Sequence, residues 1–334
     1  MRDCNVFVGL DYHKDGVQVC VLAQDGRLLG NRSCGNDPRQ VVAYVNRHGN
    51  VRGAAIESCE GTADFAEALI SAVGWSIHLA HPGYVNRMRQ NPDKTDYSDA
   101  RLLADLERVG YVPRVWLAPQ KIRELRRLVR YRQQLVDERR STKLRIGALL
   151  RQHRKRCDVS RWSKTWQGWV ANVPLPEQSR WILDRHLVRL DQLNAEIRVV
   201  EERLKSVTQG DPVVDRLLRL SGVGHVTAWA LRAEVGHFDR FRSGKQLARF
   251  CGLTPRNASS GARQADAGLI RACNNAFRAV LIEAAHRLKR YDPRYVAMAK
   301  RLRARGKPGS VIAATVANRW VRWLYHEMRT PQAA

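Results

Sequence analysis

The sequence is short of acidic residues and contains no long apolar run. Of its 334 residues, 32 are Asp or Glu, against 58 Lys or Arg, so the formal net charge is +26. A surplus of this size on a chain that is 44% hydrophobic predicts a globular protein with a polyanionic partner. No apolar stretch approaches the roughly 18 residues that span a bilayer, and the first residues lack the apolar region of a secretory signal. We therefore expect a cytoplasmic protein with no membrane partner.

The cysteines lack the spacing of structural pairs. There are seven, an odd number, and no two of them form a C-x-x-C motif. This pattern excludes a disulfide framework and a zinc ribbon, and reduced thiols fit a cytoplasmic protein. The seven are Cys4, Cys20, Cys34, Cys59, Cys157, Cys251 and Cys273.

The first 110 residues carry strand and helix patterns in alternation. Apolar runs predict strands over 5–11, 16–24 and 27–34, with Asp25 and Gly26 as a hairpin turn between the last two. Shorter runs at 53–57 and 75–80 predict two more strands. Helical spacing of apolar residues predicts helices over 62–73 and 96–109. Three strands joined by hairpins, then strand, helix, strand and helix, is the element order of an α/β RNase H-like sheet.

From about residue 118 the pattern changes to long, Arg-rich helices. Heptad-like apolar spacing over 122–150 and 183–204 predicts an antiparallel helical pair or a coiled-coil dimerisation arm. A core stripe packed within one chain explains the spacing equally well, and the sequence leaves both open. The basic segment 121–156 is either a surface for RNA or DNA backbone or a solvated helix face.

The last third of the chain holds most of the positive charge. Residues 241–334 contain 19 Lys or Arg and 4 Asp or Glu, more than half of the net surplus. This predicts a nucleic-acid surface in a mostly helical region that follows the break at 209–212. Gly222 and Gly224 in LSGVGHV resemble a helix-hairpin-helix turn, whose backbone N–H groups bind phosphate, although a plain turn between helices has the same sequence.

Four carboxylates stand at the ends of predicted elements. Asp11 and Glu57 end strands, and Asp96 and Asp99 begin a helix on one face of it, so the fold would bring all four together. Converging carboxylates repel each other unless cations lie between them, and hard oxygen ligands select Mg²⁺, or alternatively Mn²⁺. Singly, each residue could be a strand end or a helix cap. The alternatives that spacing does not exclude are Asp15, Glu60 and Asp64.

The segments GLDYHKD, IESCEGT and KTDYSDARLLA resemble the DEDD transposases of bacterial insertion sequences, the Piv-like, bridge-RNA-guided recombinases. The later segments LLRLSGVGHVTAWALRAEVGHFD and GLTPRNASSG are similar to the C-terminal transposase domain of that family. The resemblance implies a RuvC-like catalytic domain over 1–112 whose metal-binding tetrad is Asp11, Glu57, Asp96 and Asp99. It further implies a helical coiled-coil or linker region over 113–208 and a C-terminal transposase domain over 209–334.

The same resemblance implies a catalytic serine. In that family a serine of the SSG segment attacks DNA and forms a covalent phosphoserine, which would be Ser260, with Ser259 as the alternative. Metal ions of the N-terminal domain would activate it if the two domains met. The chain departs from the family after this point, because Asp266 interrupts the basic run, Arg271 stands at a usual Lys and Asn274 at a usual Gly. The DNA-contacting residues are therefore predictions from position: Gly222, Gly224, Arg256, Arg263 and Arg271.

The resulting hypothesis is a Mg²⁺-dependent DNA recombinase. It would act on element ends and target DNA, bind a guide RNA encoded by the element, and assemble as a homodimer or tetramer. Two alternatives are a RuvC-like endonuclease that uses water in place of Ser260, and a non-catalytic nucleic-acid-binding remnant. The presence of all four carboxylates and of SSG argues against the remnant.

Overall fold

The computed structural model describes residues 5–89, 95–257 and 266–329. The chain divides into two compact units, Met1–Gln120 and Lys121–Ala334. The boundaries at 112/113 and 208/209 remain our proposal for the finer domain structure. In the first unit the strands are β1 (Asn5–Tyr12), β2 (Gly16–Ala23), β3 (Leu28–Gly35), β4 (Asn50–Glu57), β5 (Ile77–Ala80) and β6 (Arg114–Val115). Its helices are α1 (Pro38–Val45), α2 (Thr62–Val73), α3 (Pro82–Met88) and α4 (Asp96–Arg108).

The six strands form one mixed sheet in the order β3-β2-β1-β4-β5-β6. β1 pairs antiparallel with β2, and β2 antiparallel with β3, as two hairpins require. β1 pairs parallel with β4, and β4 parallel with β5. The carboxyl ends of β1, β4 and β5 therefore meet at one edge of the sheet. This arrangement is consistent with the RNase H-like domain that the sequence predicts.

Alternation along β1 divides the sheet into two faces. Val6, Val8 and Leu10 are buried in a core that also contains Phe65 and Leu69 of α2. The intervening residues face α4, which packs across the other side of the sheet. A Cβ on Gly9 would lie 1.9 Å from the carbonyl oxygen of Ala100. Only glycine at this position lets α4 lie so close to β1.

The predicted elements of this unit agree with the structure to within a few residues. The helix over 62–73 is confirmed, and the predicted strand at 53–57 is longer, starting at Asn50. Helices α1 and α3 and strand β6 were not predicted from the sequence. Both missed helices are short, and each begins with a proline directly after its N-cap residue, Asp37 or His81.

The second unit is mostly helical, as predicted. Its helices are α5 (Gln120–Gln152, which begins at the last residue of the first unit), α6 (Lys164–Asn172), α7 (Glu177–Thr208), α8 (Pro212–Leu218), α9 (His225–Val235), α10 (Gly244–Phe250), α11 (Asn275–Tyr291), α12 (Pro293–Ala304) and α13 (Gly309–Arg329). A two-stranded ribbon of β7 (Pro255–Asn257) and β8 (Asp266–Leu269) interrupts them, and its strands pair antiparallel.

The two long helices α5 and α7 run antiparallel. Arg132 of α5 donates to Glu201 of α7, Arg189 of α7 donates to Glu138, and His153 lies 2.8 Å from Ser179. As residue numbers rise on α5 they fall on α7, which fits the predicted antiparallel pair. Leu193, Ile197, Val200 and Leu204 of the predicted stripe are buried within this chain. The coiled-coil dimerisation arm stays a prediction.

Helices α8 to α13 enclose a core around two buried indoles, Trp229 and Trp320. The turn before α9 is tied into this core, because the Trp320 indole N–H donates to the carbonyl of Ser221 at 3.1 Å. Gly222 has a φ of +82°, and a Cβ on it would lie 2.6 Å from Leu288. Within the described residues, no helix is long and apolar enough to cross a membrane.

Candidate functional site

The sheet edge places Asp11 and Glu57 side by side. Gly9 pairs with Ala55 and Leu10 with Ile56 in the parallel ladder, so the next pair of positions is Asp11 and Glu57. Ala55 is buried against α4, whereas Ile56 belongs to the core on the other face. By alternation Glu57 lies on the α4 face, as Asp11 does. Asp11 is 8% exposed, and Glu57 is half-buried.

The start of α4 brings two further carboxylates to this edge. Thr95 caps the helix by accepting a hydrogen bond from the Ser98 N–H at 3.1 Å. Asp96 and Asp99 then lie in the first turn, where negative charge is favoured by the helix dipole. The side chain of Asn31 on β3 donates to the carbonyl of Tyr97 at 2.9 Å, which ties the helix start to the sheet.

His13 links the strand end to the helix start. Its Nε2 lies 3.1 Å from Oδ2 of Asp11 and 3.3 Å from Oδ1 of Asp96. Burial raises the pKa of Asp11, the hydrogen bond and charge of His13 lower it, and the charges of Asp99 and Asp96 raise it again, so that the pKa stays above its ordinary value. Three carboxylates therefore act on one another here, and a positive charge between them would stabilise the ionised forms.

Asp99 has a cationic partner of its own. It is almost fully buried, and Arg89 donates from Nη2 to its Oδ2 at 2.8 Å. Arg89 also donates from Nη1 to Asn86 at 3.1 Å, while its buried Nε makes no hydrogen bond among the residues described. Arg89 thus pairs with Asp99 and would compete with a metal ion for the oxygen that it contacts.

Glu57 and Asp11 both act electrostatically on the thiol of Cys59. Burial raises the pKa of the Cys59 thiol, and the negative charges of Glu57, Asp11 and Glu60 raise it further. Glu57 and Asp11 therefore lie within electrostatic reach of the same side chain. The alternative ligand Asp15 is exposed in the turn that joins β1 to β2.

The donor set fits a divalent cation. Ligand atoms of Asp11, His13 and Asp96 all lie within 4.8 Å of one another, a spacing that one ion could bridge. Carboxylate oxygens suit Mg²⁺ and Mn²⁺, and the imidazole nitrogen extends the set toward Mn²⁺. The side chains of His13 and Asp96 are 46% and 60% exposed, so a phosphate in solvent can reach them.

The other predicted residues lie in the second unit. Gly224 is the N-cap of α9 with open space around it, whereas Gly222 is packed against Leu288. Arg256 is exposed on β7, and Arg271 is exposed in the segment before α11. Ser260, Ser259 and Arg263 lie outside the described residues.

Sequence reasoning did not single out His13 or Arg89 for this site. His13 lies two positions after Asp11 in the GLDYHKD segment, which also carries the family resemblance. Its closeness to Asp11 in the sequence was the one signal that could have identified it. Arg89 lies ten residues before Asp99, and no periodic pattern relates the two. It meets Asp99 because it directly follows α3.

Two family models match the chain in separate regions. A DEDD transposase model of the IS110 type, described as "Transposase", matches residues 8–154. A second model, described as "Transposase IS116/IS110/IS902 family", matches residues 214–299. The first match contains the four carboxylates and His13, and the second contains the ribbon and Ser260.

Similar proteins carry the same description. The chain is 28% identical over 283 residues to a "Probable family 20 transposase" of Pseudomonas aeruginosa, covering 81% of this chain and 82% of that protein. It is 24% identical over 299 residues to the transposase for insertion sequence element IS1111A of Coxiella burnetii, covering 87% and 79%. A transposase for element IS1328 of Yersinia enterocolitica is 27% identical, covering 69% of each chain. The chain is a transposase, a DNA-cutting and rejoining enzyme, and its residues 8–154 and 214–299 match models of the IS110/IS116/IS902 transposases.

Proposed function

We propose that this transposase cuts and rejoins DNA with Mg²⁺ held by Asp11, Glu57, Asp96 and Asp99. The observation that carries the proposal is the meeting of Asp11 and Asp96 around His13, with Asp99 close enough to raise the pKa of Asp11. The start of α4 accounts for Asp96 and Asp99, but the buried Asp11 comes from β1 and meets these like charges at the sheet edge. A divalent cation supplies the compensating charge, and Mn²⁺ would serve in the same place.

The carboxylates would orient the reacting phosphate. A bound pair of cations would stabilise charge on the attacking and leaving oxygens of a scissile phosphodiester. Asp11, buried at the strand end, would hold a fixed position, whereas the more exposed Asp96 could adjust as a substrate enters. Arg89 would hold the Asp99 carboxylate in a fixed orientation.

Ser260 is our proposed nucleophile, with Ser259 as the alternative. The serine oxygen would attack phosphorus and form a phosphoserine bond while the bond from phosphorus to a sugar oxygen breaks. The serine proton would leave to a base, and the departing sugar oxygen would take up a proton. A second sugar hydroxyl would then attack the phosphoserine, release the serine and join the strand to a new partner without an external energy source.

Nucleic acids are the proposed partners of the basic second unit. We propose DNA at the element ends and target, and a guide RNA that selects the target by base pairing. Gly222, Gly224, Arg256, Arg263 and Arg271 would contact phosphates, which implies binding that weakens steeply with salt. We further propose that the protein acts in the cytoplasm as a homodimer or tetramer.

The test is strand exchange with purified protein on element-end DNA, with denaturing gels to detect protein–DNA adducts. Wild type should form an adduct in Mg²⁺ that Ser260→Ala abolishes and Ser259→Ala retains. Asp11→Asn and Asp99→Asn should abolish both cutting and adduct. Cut DNA that accumulates with no adduct in wild type would instead indicate hydrolysis by water. DNA binding without any cutting would indicate a non-catalytic remnant.

A further inference from the structure

A cavity of about 330 Å³ opens beside the end of α5, in the second unit. Helix α5, the segment that follows it and helix α6 enclose the space. Its size reaches the lower end of the range for small-ligand sites in proteins. The residues that line it are Gly147, Leu150, Arg151, Lys155, Arg156, Cys157, Asp158, Arg161, Trp162, Trp166 and Trp169.

One side of this cavity is strongly cationic. Two guanidinium groups converge over Gly147, because a Cβ built there would lie 3.4 Å from Nη1 of Arg151 and 3.7 Å from Nη1 of Arg161. Lys155 and Arg156 add two more positive charges, and Asp158 is the acidic residue of the lining. Across the described residues, no ion pair includes any of these four cations. Such a concentration of positive charge costs free energy unless an anion offsets it.

The other side of the cavity is aromatic. Trp166 is 2% exposed and belongs to the small core between α5, α6 and α7. Trp162 and Trp169 are its ring neighbours, with centroids 4.5 Å and 6.3 Å from that of Trp166, and both are only half-buried. Trp162 has a φ of +70°, and Lys143 lies over its ring at 4.7 Å. Trp162 and Trp169 also pack against this core, but part of each indole stays open to solvent beside the four cations.

We infer that this cavity binds one unpaired nucleotide of a nucleic-acid strand, with the base against Trp169 and Trp162 and the phosphate between Arg151 and Arg161. Indole faces stack on any base, and paired guanidinium groups suit phosphate oxygens. The cavity can take one base with its phosphate, whereas a duplex backbone would meet only its cationic rim. The inference rests on the proposed function in one respect, that the protein works on DNA and RNA strands.

The test compares five-residue single strands that carry one central adenine or one central abasic site, with equal charge. Binding is measured by fluorescence polarisation near 150 mM salt, with the full-length protein and with both DNA and RNA strands. We expect the abasic strand to bind at least about fivefold more weakly than the adenine strand. A larger difference with RNA would assign the cavity to the guide, and a larger one with DNA to an unpaired base of the element.

Matched variants locate the effect. Trp169→Ala should remove the difference between adenine and abasic strands, whereas Trp181→Ala, at an exposed indole on α7, should keep it. Arg161→Glu should weaken the binding of both strands at least about fivefold more than Arg140→Glu does. Arg140→Glu makes the same charge change at an exposed position of α5. These exposed arginines test the site even if Trp169→Ala does not fold.

The inference is overturned if wild type binds the adenine and abasic strands with equal affinity. It is also overturned if Trp169→Ala and Trp181→Ala reduce the difference between the two strands equally. DNA cutting in the same preparation separates this failure from that of the proposed function. If the protein cuts DNA but binds the adenine and abasic strands equally, the proposed function stands and the nucleotide site in the cavity does not.

Discussion

Replacing Gly9 by alanine should displace α4 and disable the carboxylate cluster. The added Cβ would lie 1.9 Å from the carbonyl oxygen of Ala100 and 2.4 Å from the backbone nitrogen of Ala104. Both are helix backbone atoms, which no side-chain rotation can move aside. Relief of the clash requires the helix to move outward by about 1.5 Å, because ordinary contacts of a Cβ begin near 3.4 Å.

That displacement should affect both stability and the site. Overpacking of a close-packed interface costs about 1–3 kcal/mol of stability. The cost here should lie toward the upper end, because the added Cβ meets backbone atoms of α4 and is itself attached to the backbone of β1. Asp96 and Asp99 move with α4 while Asp11 and His13 stay with the sheet, so the distance of 3.3 Å between His13 and Asp96 would lengthen. Metal binding and DNA cutting should fall together.

The assays are urea denaturation, hydrogen exchange of peptides from α4, and Mn²⁺ titration. We expect Gly9→Ala to speed exchange in α4 and to weaken Mn²⁺ binding. The matched control is Gly168→Ala, within α6, where a Cβ meets nothing within 4 Å and alanine should stabilise the helix by about 0.5–1 kcal/mol. If Gly9→Ala were as stable as wild type and bound Mn²⁺ equally well, glycine would not be what positions α4, and this reasoning would fail.

Three further predictions concern charge and capping. Because the pKa of Asp11 is raised in the folded state, its contribution to stability is present at low pH and is lost as the pH rises through that raised pKa; melting temperatures in EDTA should therefore favour Asp11→Asn over wild type at pH 7 but not at pH 4, and no such difference would contradict the assigned shift. Arg232→Met should cost about 3–5 kcal/mol in urea unfolding, because it leaves the buried Asp211 without its partner at 2.8 Å, whereas Lys205→Met in an exposed pair should cost at most about 1 kcal/mol; equal costs would refute the role of burial. Thr95→Ala should destabilise α4 by about 1 kcal/mol and speed exchange in its first turn, and unchanged exchange would show that the cap is unimportant.

The sequence predicted those parts of the fold that depend on local pattern. Apolar runs and a hairpin turn predicted the first three strands, and helical spacing predicted the helix at 62–73 with its observed ends. The short helices α1 and α3 were not predicted, because seven or eight residues give too few apolar repeats to define a period. Length, more than composition, limited the prediction.

The site could be predicted as a set of carboxylates but not as a set of contacts. Asp11, Glu57 and Asp96 stand at element ends, and a parallel sheet brings such ends to one edge. His13 and Arg89 enter through tertiary geometry: a turn folds His13 toward Asp96, and the end of α3 brings Arg89 to Asp99. Neither contact leaves a periodic signal in the sequence.

The cavity beside α5 shows the same limit. Sequence reasoning singled out the basic segment 121–156 but assigned no role to Trp162, Trp166 and Trp169. It did not combine them, because the segment between α5 and α6 folds back with positive φ values at Arg154 and Trp162. Positive φ is uncommon for residues other than glycine, and no residue type in this segment predicts it.

The most direct test of the central claim is Mn²⁺ binding to wild type, Asp11→Asn and Asp15→Asn, followed by electron paramagnetic resonance, with DNA cutting measured in the same samples. The two variants remove the same charge four residues apart, one from the buried cluster and one from an exposed turn. We predict that Asp11→Asn loses bound Mn²⁺ and cutting together, while Asp15→Asn keeps both. Metal binding or cutting that survives in Asp11→Asn, or is lost equally in Asp15→Asn, would contradict the account.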